Sequence, residues 1–263
     1  MKHPRLLSYL VFAIAFSALA AAPAPADIGI NVSPAKLELS MSPGTATNIP
    51  VTVANGTTDA THVQATMVDF GVGQNGDYQI ERVGTRSNSL LKYASISPRE
   101  FDLAPQTIQQ VKLSLALPAH GLDGEYAGIV FFQTRPPRVR SGAVSFSVRV
   151  ASKFYLTIPG TVKIDGEISK MSQSKGAGHD TYRVLFKNTG NAHVYLRGEI
   201  AVSKDGAQVD RIQMPSEQLV ERGGERLIEV TGKALPPGKY QAVATIDYGG
   251  KQMTGGEIVF VRS

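Results

Sequence analysis

The sequence predicts an all-β protein built from two tandem sandwich domains. Short segments that alternate apolar and polar residues recur after Asp27, and turn signals such as Asn55-Gly56, Asn75-Gly76 and Pro237-Gly238 separate them. No stretch has the apolar periodicity of an amphipathic helix of ordinary length. Many short strands with turns at this spacing are typical of a β-sandwich.

A first internal repeat indicates that the same arrangement of strands and turns occurs twice. Residues 51–69, "VTVANGTTDATHVQATMVD", resemble residues 183–203, "RVLFKNTGNAHVYLRGEIAVS". Each segment contains an apolar strand, an Asn, a polar turn, a His-Val pair and a second strand. The matched positions are Asn55 and Asn188, then His62-Val63 and His193-Val194.

A second repeat follows the first in the same order. In each half a strand ends at Leu-Pro, and after a turn Gly-x-Tyr opens a new strand. The matched positions are Leu117-Pro118 and Leu235-Pro236, then Tyr126 and Tyr240. We therefore predict two immunoglobulin-like sandwiches over residues 28–158 and 161–263, with the boundary at Pro159-Gly160. The two tyrosines fit either a tyrosine corner or ordinary packing at a strand edge.

The N-terminal residues predict export. Lys2 and Arg5 precede an apolar run over residues 6–22, and Ala24-Pro25-Ala26 is a small-x-small site, so a signal peptide over residues 1–26 is expected to be cleaved before Asp27. The alternative is a membrane anchor, but the run is at the short edge of spanning length. We expect an exported mature chain without a membrane span, in the periplasm or, as the alternative, at the cell surface.

Composition excludes several classes of function. The chain has a net charge of +5, which falls to +3 when Lys2 and Arg5 leave with the signal peptide, and no basic cluster interleaves with aromatic residues as nucleic-acid binding requires. The absence of cysteine excludes thiol catalysis, zinc–thiolate sites and iron–sulfur clusters.

No catalytic, metal or cofactor site is predicted. The five histidines have no ligand spacing, and His62 and His193 occupy equivalent positions in the two halves, which indicates a structural role. Residues 69–81 do not match a calcium loop and fit a hairpin turning at Asn75-Gly76. We find no nucleophile elbow and no phosphate loop, so a non-enzymatic protein is expected.

One long strand is predicted next to the domain boundary, in "AVSFSVRVASKFYLTIPG" (143–160). Alternation places one apolar ladder on a single face and a lysine on the other. The ladder consists of Val144, Phe146, Val148 and Val150, and the lysine is Lys153. Two interpretations remain open, because this face can pack on the core of its own domain or be offered to a partner, with the lysine solvated or functional.

Residues 28–160 resemble the PapD-type periplasmic pilus-assembly chaperones. The resemblance rests on "INVSPAKLEL" and "VTVAN" as the first two strands, on "ISPREFDLAPQTIQQVKL" in the middle, and on "GEYAGIVFFQTRPP" and "VSFSVRVASKFYLTIPG" as the last two strands. It implies two immunoglobulin-like domains set at an angle. The second domain fits this family only as a sandwich.

The resemblance also implies a mechanism and a partner. In this family the last strand of domain one completes the sheet of an incomplete subunit, and two basic residues in the interdomain cleft hold the terminal carboxylate of that subunit. The matching positions are Lys36 and Lys153 for the carboxylate and the Val144–Val150 ladder for strand pairing. The implied partners are secreted subunits with an incomplete sandwich, with an outer-membrane assembly protein as a further candidate. The alternative function is a non-catalytic structural or adhesion module of the cell envelope.

Overall fold

The all-β prediction is confirmed by the structure. A computed structural model describes residues 29–135 and 146–263, so the predicted signal peptide, residues 1–26, and Val144 lie outside the described residues. Within those ranges the regular elements are β-strands, apart from a single 3₁₀ turn at Leu91–Tyr93. No helix in them has the length and apolarity to cross a membrane.

The strands before Pro159 form two sheets. In chain order they are β1 (Ile30–Ser33), β2 (Lys36–Ser40), β3 (Ala46–Asn55), β4 (Thr61–Val72), β5 (Tyr78–Glu81), β6 (Ala94–Ser97), β7 (Glu100–Leu103), β8 (Ile108–Ala116), β9 (Glu125–Thr134) and β10 (Arg149–Thr157). One sheet has the order β1-β3-β8-β6, and the other has the order β2-β10-β9-β4-β5 with β7 beside β4. Alternate residues of both sheets, such as Val51, Val111, Phe132 and Phe154, fill one core.

The chain changes sheets between its first two strands. β1 pairs with β3 in one sheet, whereas β2 pairs in parallel with β10 in the other. The crossing lies at Pro34-Ala35, and Pro34 accepts a hydrogen bond of 2.5 Å from the Ser152 hydroxyl. β2 therefore begins beside the middle of β10, opposite Lys153.

The strands after Gly160 form two further sheets. They are β11 (Gly166–Lys175), β12 (His179–Asn188), β13 (Val194–Lys204), β14 (Ala207–Gln213), β15 (Gln218–Val220), β16 (Glu225–Lys233), β17 (Gly238–Asp247) and β18 (Thr254–Arg262). The sheet orders are β11-β12-β16 and β14-β13-β17-β18, with β15 beside β13. Their buried side chains, including Tyr182, Phe186 and Ile200, form a second core with no residue from before Gly160.

The two repeated tyrosines differ in their contacts. The hydroxyl of Tyr240 donates to the carbonyl of Pro236 at 2.9 Å, four residues upstream, which is the geometry of a tyrosine corner. Tyr126 is buried and packs edge-on against Tyr93, with ring centroids 6.1 Å apart. The same sequence motif therefore supports two kinds of packing.

Two segments of the N-terminal unit make backbone hydrogen bonds to the C-terminal unit. At the start of β9, Glu125 N–H donates to the carbonyl of Asn191 at 2.9 Å. The turn of the β4–β5 hairpin reaches β16, where Leu227 N–H donates to the carbonyl of Gln74 at 2.8 Å and the Gln74 amide donates to Glu225 at 2.6 Å. These contacts set the surface on which the candidate site lies.

Candidate functional site

The two lysines predicted as a carboxylate anchor lie side by side. In the parallel pair of β2 and β10, Lys36 is the register partner of Lys153, and Glu38 is the partner of Tyr155. Because side chains alternate between the faces of a strand, these four residues share one face. Leu37, Leu39 and Phe154 lie on the other face and pack in the core. The fold thus places on one surface two cations that are far apart in sequence.

Lys36 already has a carboxylate partner. Its Nζ lies 2.8 Å from Oε1 of Glu38 and donates to the Tyr195 hydroxyl at 3.1 Å. The hydrogen bond to Glu38, then that to Tyr195, raises the pKa of Lys36, and the same contact with Lys36 lowers the pKa of Glu38. Both groups are therefore charged at neutral pH. The side chains of Lys36 and Glu38 are 46% and 50% exposed, so solvent reaches this pair.

Lys153 lies among aromatic rings. Its Nζ donates to the Tyr78 hydroxyl at 2.8 Å and lies 5.3 Å from the ring centroids of Tyr78 and Tyr155. Phe70, stacked on Tyr78, is 5.8 Å from the same nitrogen. Cation–π attraction holds an ammonium group at such distances without neutralising its charge. Lys153 is therefore positioned by aromatic side chains and not by a carboxylate within ion-pair distance among the described residues.

A buried polar cluster forms the base of this surface and joins the two units. Nδ1 of His193 lies 2.7 Å from Oε2 of Glu125, and the His193 ring stacks on Tyr155 with centroids 4.1 Å apart. The Tyr155 hydroxyl donates to Glu221 at 2.6 Å. Burial is the main cause that raises the pKa of Tyr155 and of Glu221. These contacts fix β10 of the first unit against β13 and the end of β15 in the second.

Glu221→Gln is expected to raise the free energy of unfolding at neutral pH, by an amount that grows with pH. Because the pKa of Glu221 is raised from its ordinary 4.5, its stabilising contribution is complete below that value and is lost as pH rises through the folded-state pKa. An amide cannot ionise and still accepts the hydrogen bond of Tyr155. Melting temperatures of both proteins at about pH 4 and about pH 8 measure the difference.

Glu199→Gln is the control with the opposite sign. Hydrogen bonds from Arg211 and Gln213 lower the pKa of Glu199, so this carboxylate stabilises at higher pH and loses its contribution as pH falls. A Glu221→Gln protein less stable than the wild type at the higher pH would contradict the assignment of a desolvated carboxyl group.

One edge of β10 is uncovered on the N-terminal side of Lys153. Lys153 N–H donates to Ala35 at 2.9 Å, and alternate residues of a strand direct their backbone groups to the same side, so Ala151 and Arg149 face this edge. β2 covers the edge only from Lys153 onward, while β9 covers the other side from Arg149 to Thr157. Among residues 29–135 and 146–263, no strand pairs with this side of residues 149–152.

The apolar ladder divides between two environments. Val148 and Val150 are half-buried and pack against the core of their own unit, whereas Phe146 is 75% exposed. The predicted strand includes residues 146–148, but among the described residues β10 begins only at Arg149. Thr134 N–H still donates to the Val148 carbonyl at 2.8 Å, but Val148 N–H donates to the side-chain hydroxyl of Thr134 at 2.9 Å, so one of the two backbone bonds of a regular pair is replaced.

A groove lies beside the exposed end of the ladder. Its volume is about 690 Å³, and it lies between the start of β1, the β3–β4 loop and the segment before β10. Phe146 and Val148 form one wall, and Ile30 lies at the start of β1. The groove also includes the polar residues Asp59, His62, Thr134 and Arg135. The apolar wall thus lies directly before the start of β10 in the chain.

Comparison with solved structures establishes the fold. No family model and no curated protein matches this sequence. The crystal structure of the class 5 fimbriae chaperone CfaA matches with a TM-score of 0.50 and 11% identity, over 89% of this chain and 99% of that chain. The fold is that of a fimbrial chaperone. A chain of a chaperone–tip adhesin complex of CFA/I fimbriae biogenesis gives a TM-score of 0.48 at 11% identity, over 89% and 98% of the two chains. A chain of the CsuC–CsuE pre-assembly complex of Acinetobacter baumannii gives a TM-score of 0.46 at 14% identity, over 87% and 97% of the two chains.

Several residues of the surface around Lys36 and Lys153 were not predicted from the sequence. Glu38 and Tyr155 are two residues beyond the predicted lysines, so strand periodicity would have placed them on the same face. Tyr78 and Tyr195 reach the lysines only through tertiary contacts, and nothing in the sequence marks them. His193, predicted as a structural residue of the fold, packs at the base of the surface.

Proposed function

We propose that this protein is a periplasmic assembly chaperone for exported pilus-type subunits that have an incomplete β-sandwich. It is a non-catalytic binding protein that pairs a subunit strand with the uncovered edge of β10. The observation that carries the proposal is that this edge ends at the lysine pair. The shared fold with CfaA supports the class of protein, and the predicted signal peptide supports the compartment.

The position of β2 gives the docked strand a direction and an end point. A strand beside residues 149–152 occupies the same side of β10 as β2 and continues its line. If it runs parallel to β10, its C-terminal end arrives at Lys36 and Lys153, where an α-carboxylate meets two ammonium groups. This arrangement fixes the register, because a strand that slips by one residue turns every side chain to the wrong face.

The residues of the ladder then have two different roles. Val148 and Val150 hold the strand on its own sandwich, while Phe146 extends beyond it and is free to fill an apolar site on a subunit. A spacer or adhesion module would have no need of an uncovered strand edge, which isolated proteins normally protect.

Phe146→Asp is expected to weaken subunit binding about tenfold or more and to leave the melting temperature nearly unchanged. The ring is 75% exposed in the free protein, so its loss costs the fold little, whereas a carboxylate in an apolar groove of a subunit is unfavourable. The subunit is first identified by co-purification with the mature protein from its own envelope. Binding is then measured for that subunit and for a version whose missing strand is fused to its own chain.

Val150→Asp is the matched variant, because Val150 packs on the core and its replacement should lower stability. Equal binding of the incomplete and the self-complemented subunit, or unchanged binding by the Phe146→Asp protein, would contradict strand donation and favour an envelope spacer module.

A further inference from the structure

We propose that Glu38 competes with the client for the carboxylate site. The Glu38 carboxylate occupies Lys36 until the C-terminal carboxylate of a client displaces it. This inference rests on the proposed function, because it concerns the same lysine pair. Binding then includes an exchange, because the client carboxylate replaces the Glu38 carboxylate at Lys36 instead of entering an empty site.

The two lysines are unequal in this respect. Glu38 Oε1 lies 2.8 Å from Lys36 Nζ, whereas among the described residues no carboxylate lies within ion-pair distance of Lys153. Among the described residues, Nζ of Lys153 contacts the Tyr78 hydroxyl and the aromatic rings, while the carboxylates of Glu38 and Glu221 act on it only from a longer distance. An incoming carboxylate therefore finds an unneutralised charge at Lys153 and a neutralised one at Lys36.

The Glu38–Lys36 pair is suited to exchange. Both groups belong to one strand, two residues apart and on the same face, and each is about half exposed, so no desolvated pair has to be broken. A second side-chain nitrogen is close to Glu38, since Nε2 of His193 lies 3.8 Å from the same oxygen. The hydrogen bond that lowers the pKa of Glu38 keeps it ionised, so it competes as a carboxylate at neutral pH.

Exchange of this kind makes binding selective. A free carboxylate gains little by replacing another carboxylate at Lys36, because one exposed ion pair is traded for a similar one. A carboxylate delivered at the end of a paired strand is held nearby by the strand, and its effective concentration at Lys36 is high. The Glu38 carboxylate therefore weakens the binding of small acids more than the binding of a strand that ends in a carboxylate.

The test uses two fluorescent peptides of one sequence, alternating valine and threonine after two N-terminal lysines, one ending in a free carboxylate and the other in an amide. Binding is followed by fluorescence anisotropy. Glu38→Gln is expected to bind the acid peptide roughly two- to fivefold more tightly than the wild type and the amide peptide equally well. Acetate should compete with the acid peptide more effectively in the variant than in the wild type.

Glu229→Gln is the matched control. It removes the same charge and breaks an exposed ion pair, with Arg183 at 2.6 Å, on a strand that contributes nothing to the lysine pair. An equal gain in this control, or no gain in Glu38→Gln while the wild type prefers the acid peptide, would overturn the competitor and leave the lysine site intact. Equal binding of acid and amide by the wild type would instead remove the carboxylate site itself, and the competitor with it.

Discussion

Asn188→Ala is expected to lower the free energy of unfolding of the C-terminal unit by about 2–4 kcal/mol. The side chain is fully buried, and its Nδ2 donates to the carbonyls of Ala192, Val220 and Glu221 at 2.8–3.3 Å. Its Oδ1 accepts from Gly190 N–H at 2.9 Å. Alanine cannot make any of these bonds. Gly190 N–H still donates to the carbonyl of Asp165 and the Glu221 carbonyl still accepts from Gly224 N–H, so the cost comes mainly from the bonds to Ala192 and Val220, whose carbonyls lose a buried donor.

Asn55→Ala is the counterpart in the N-terminal unit. Asn55 Nδ2 donates to the carbonyls of Asp59, Leu103 and Ala104 at 2.8–3.2 Å, and its Oδ1 accepts from Thr57 N–H at 3.0 Å. Asn55 is the last residue of β3 and Asn188 is the last residue of β12, and each ties its strand to a turn and to a segment that follows much later in the chain. The two variants therefore remove the same linkage from two different cores.

Native-state hydrogen exchange in the full chain distinguishes the two units. We expect Asn188→Ala to reduce the protection of amides in β11–β18 and Asn55→Ala to reduce it in β1–β10, because the two buried clusters share no residue. An equal loss of protection throughout the chain in both variants would contradict two units that meet at Pro159-Gly160.

The repeated asparagines show which features of the fold can be predicted from the sequence. Asn55 and Asn188 each follow an alternating strand and precede a polar turn, and both signals are local. Their shared role was therefore predictable from the repeat. Alternation also placed Val148 and Val150 on one face and Lys153 on the other, since a strand fixes which residues share a face whatever covers them.

Alternation does not show what covers each face or edge. Val148 and Phe146 were predicted on the same face of the strand, but Val148 packs on the core and Phe146 is exposed. Regular pairing with β9 ends at Val148, because the Thr134 hydroxyl there takes the place of a backbone acceptor. Contacts of Tyr78 and Tyr195 with the lysines depend on how a hairpin and a second unit are placed in space. These long-range contacts leave no local pattern.

Lys153→Met is expected to weaken binding of the acid peptide by about 1–3 kcal/mol, with no change for the amide peptide. Methionine keeps an apolar stem against Tyr78 and Tyr155, so the variant removes the charge with little loss of packing. Lys36→Met should have the smaller effect, because the charge of Lys36 is already offset by Glu38. In the double variant the acid and amide peptides should bind equally well.

Lys92→Met is the control for loss of a lysine held over an aromatic ring. Lys92 lies 4.9 Å from the ring centroid of Tyr93, and it belongs neither to the lysine pair nor to the edge of β10. Its replacement should leave the preference for the acid peptide unchanged, and this preference should fall with added salt in the wild type because the lysine site is partly exposed. If the Lys36→Met, Lys153→Met protein still prefers the acid peptide, the lysines do not hold the carboxylate. The uncovered edge of β10 would then have to fix the register of a bound strand through Phe146 and the backbone of Arg149 and Ala151 alone.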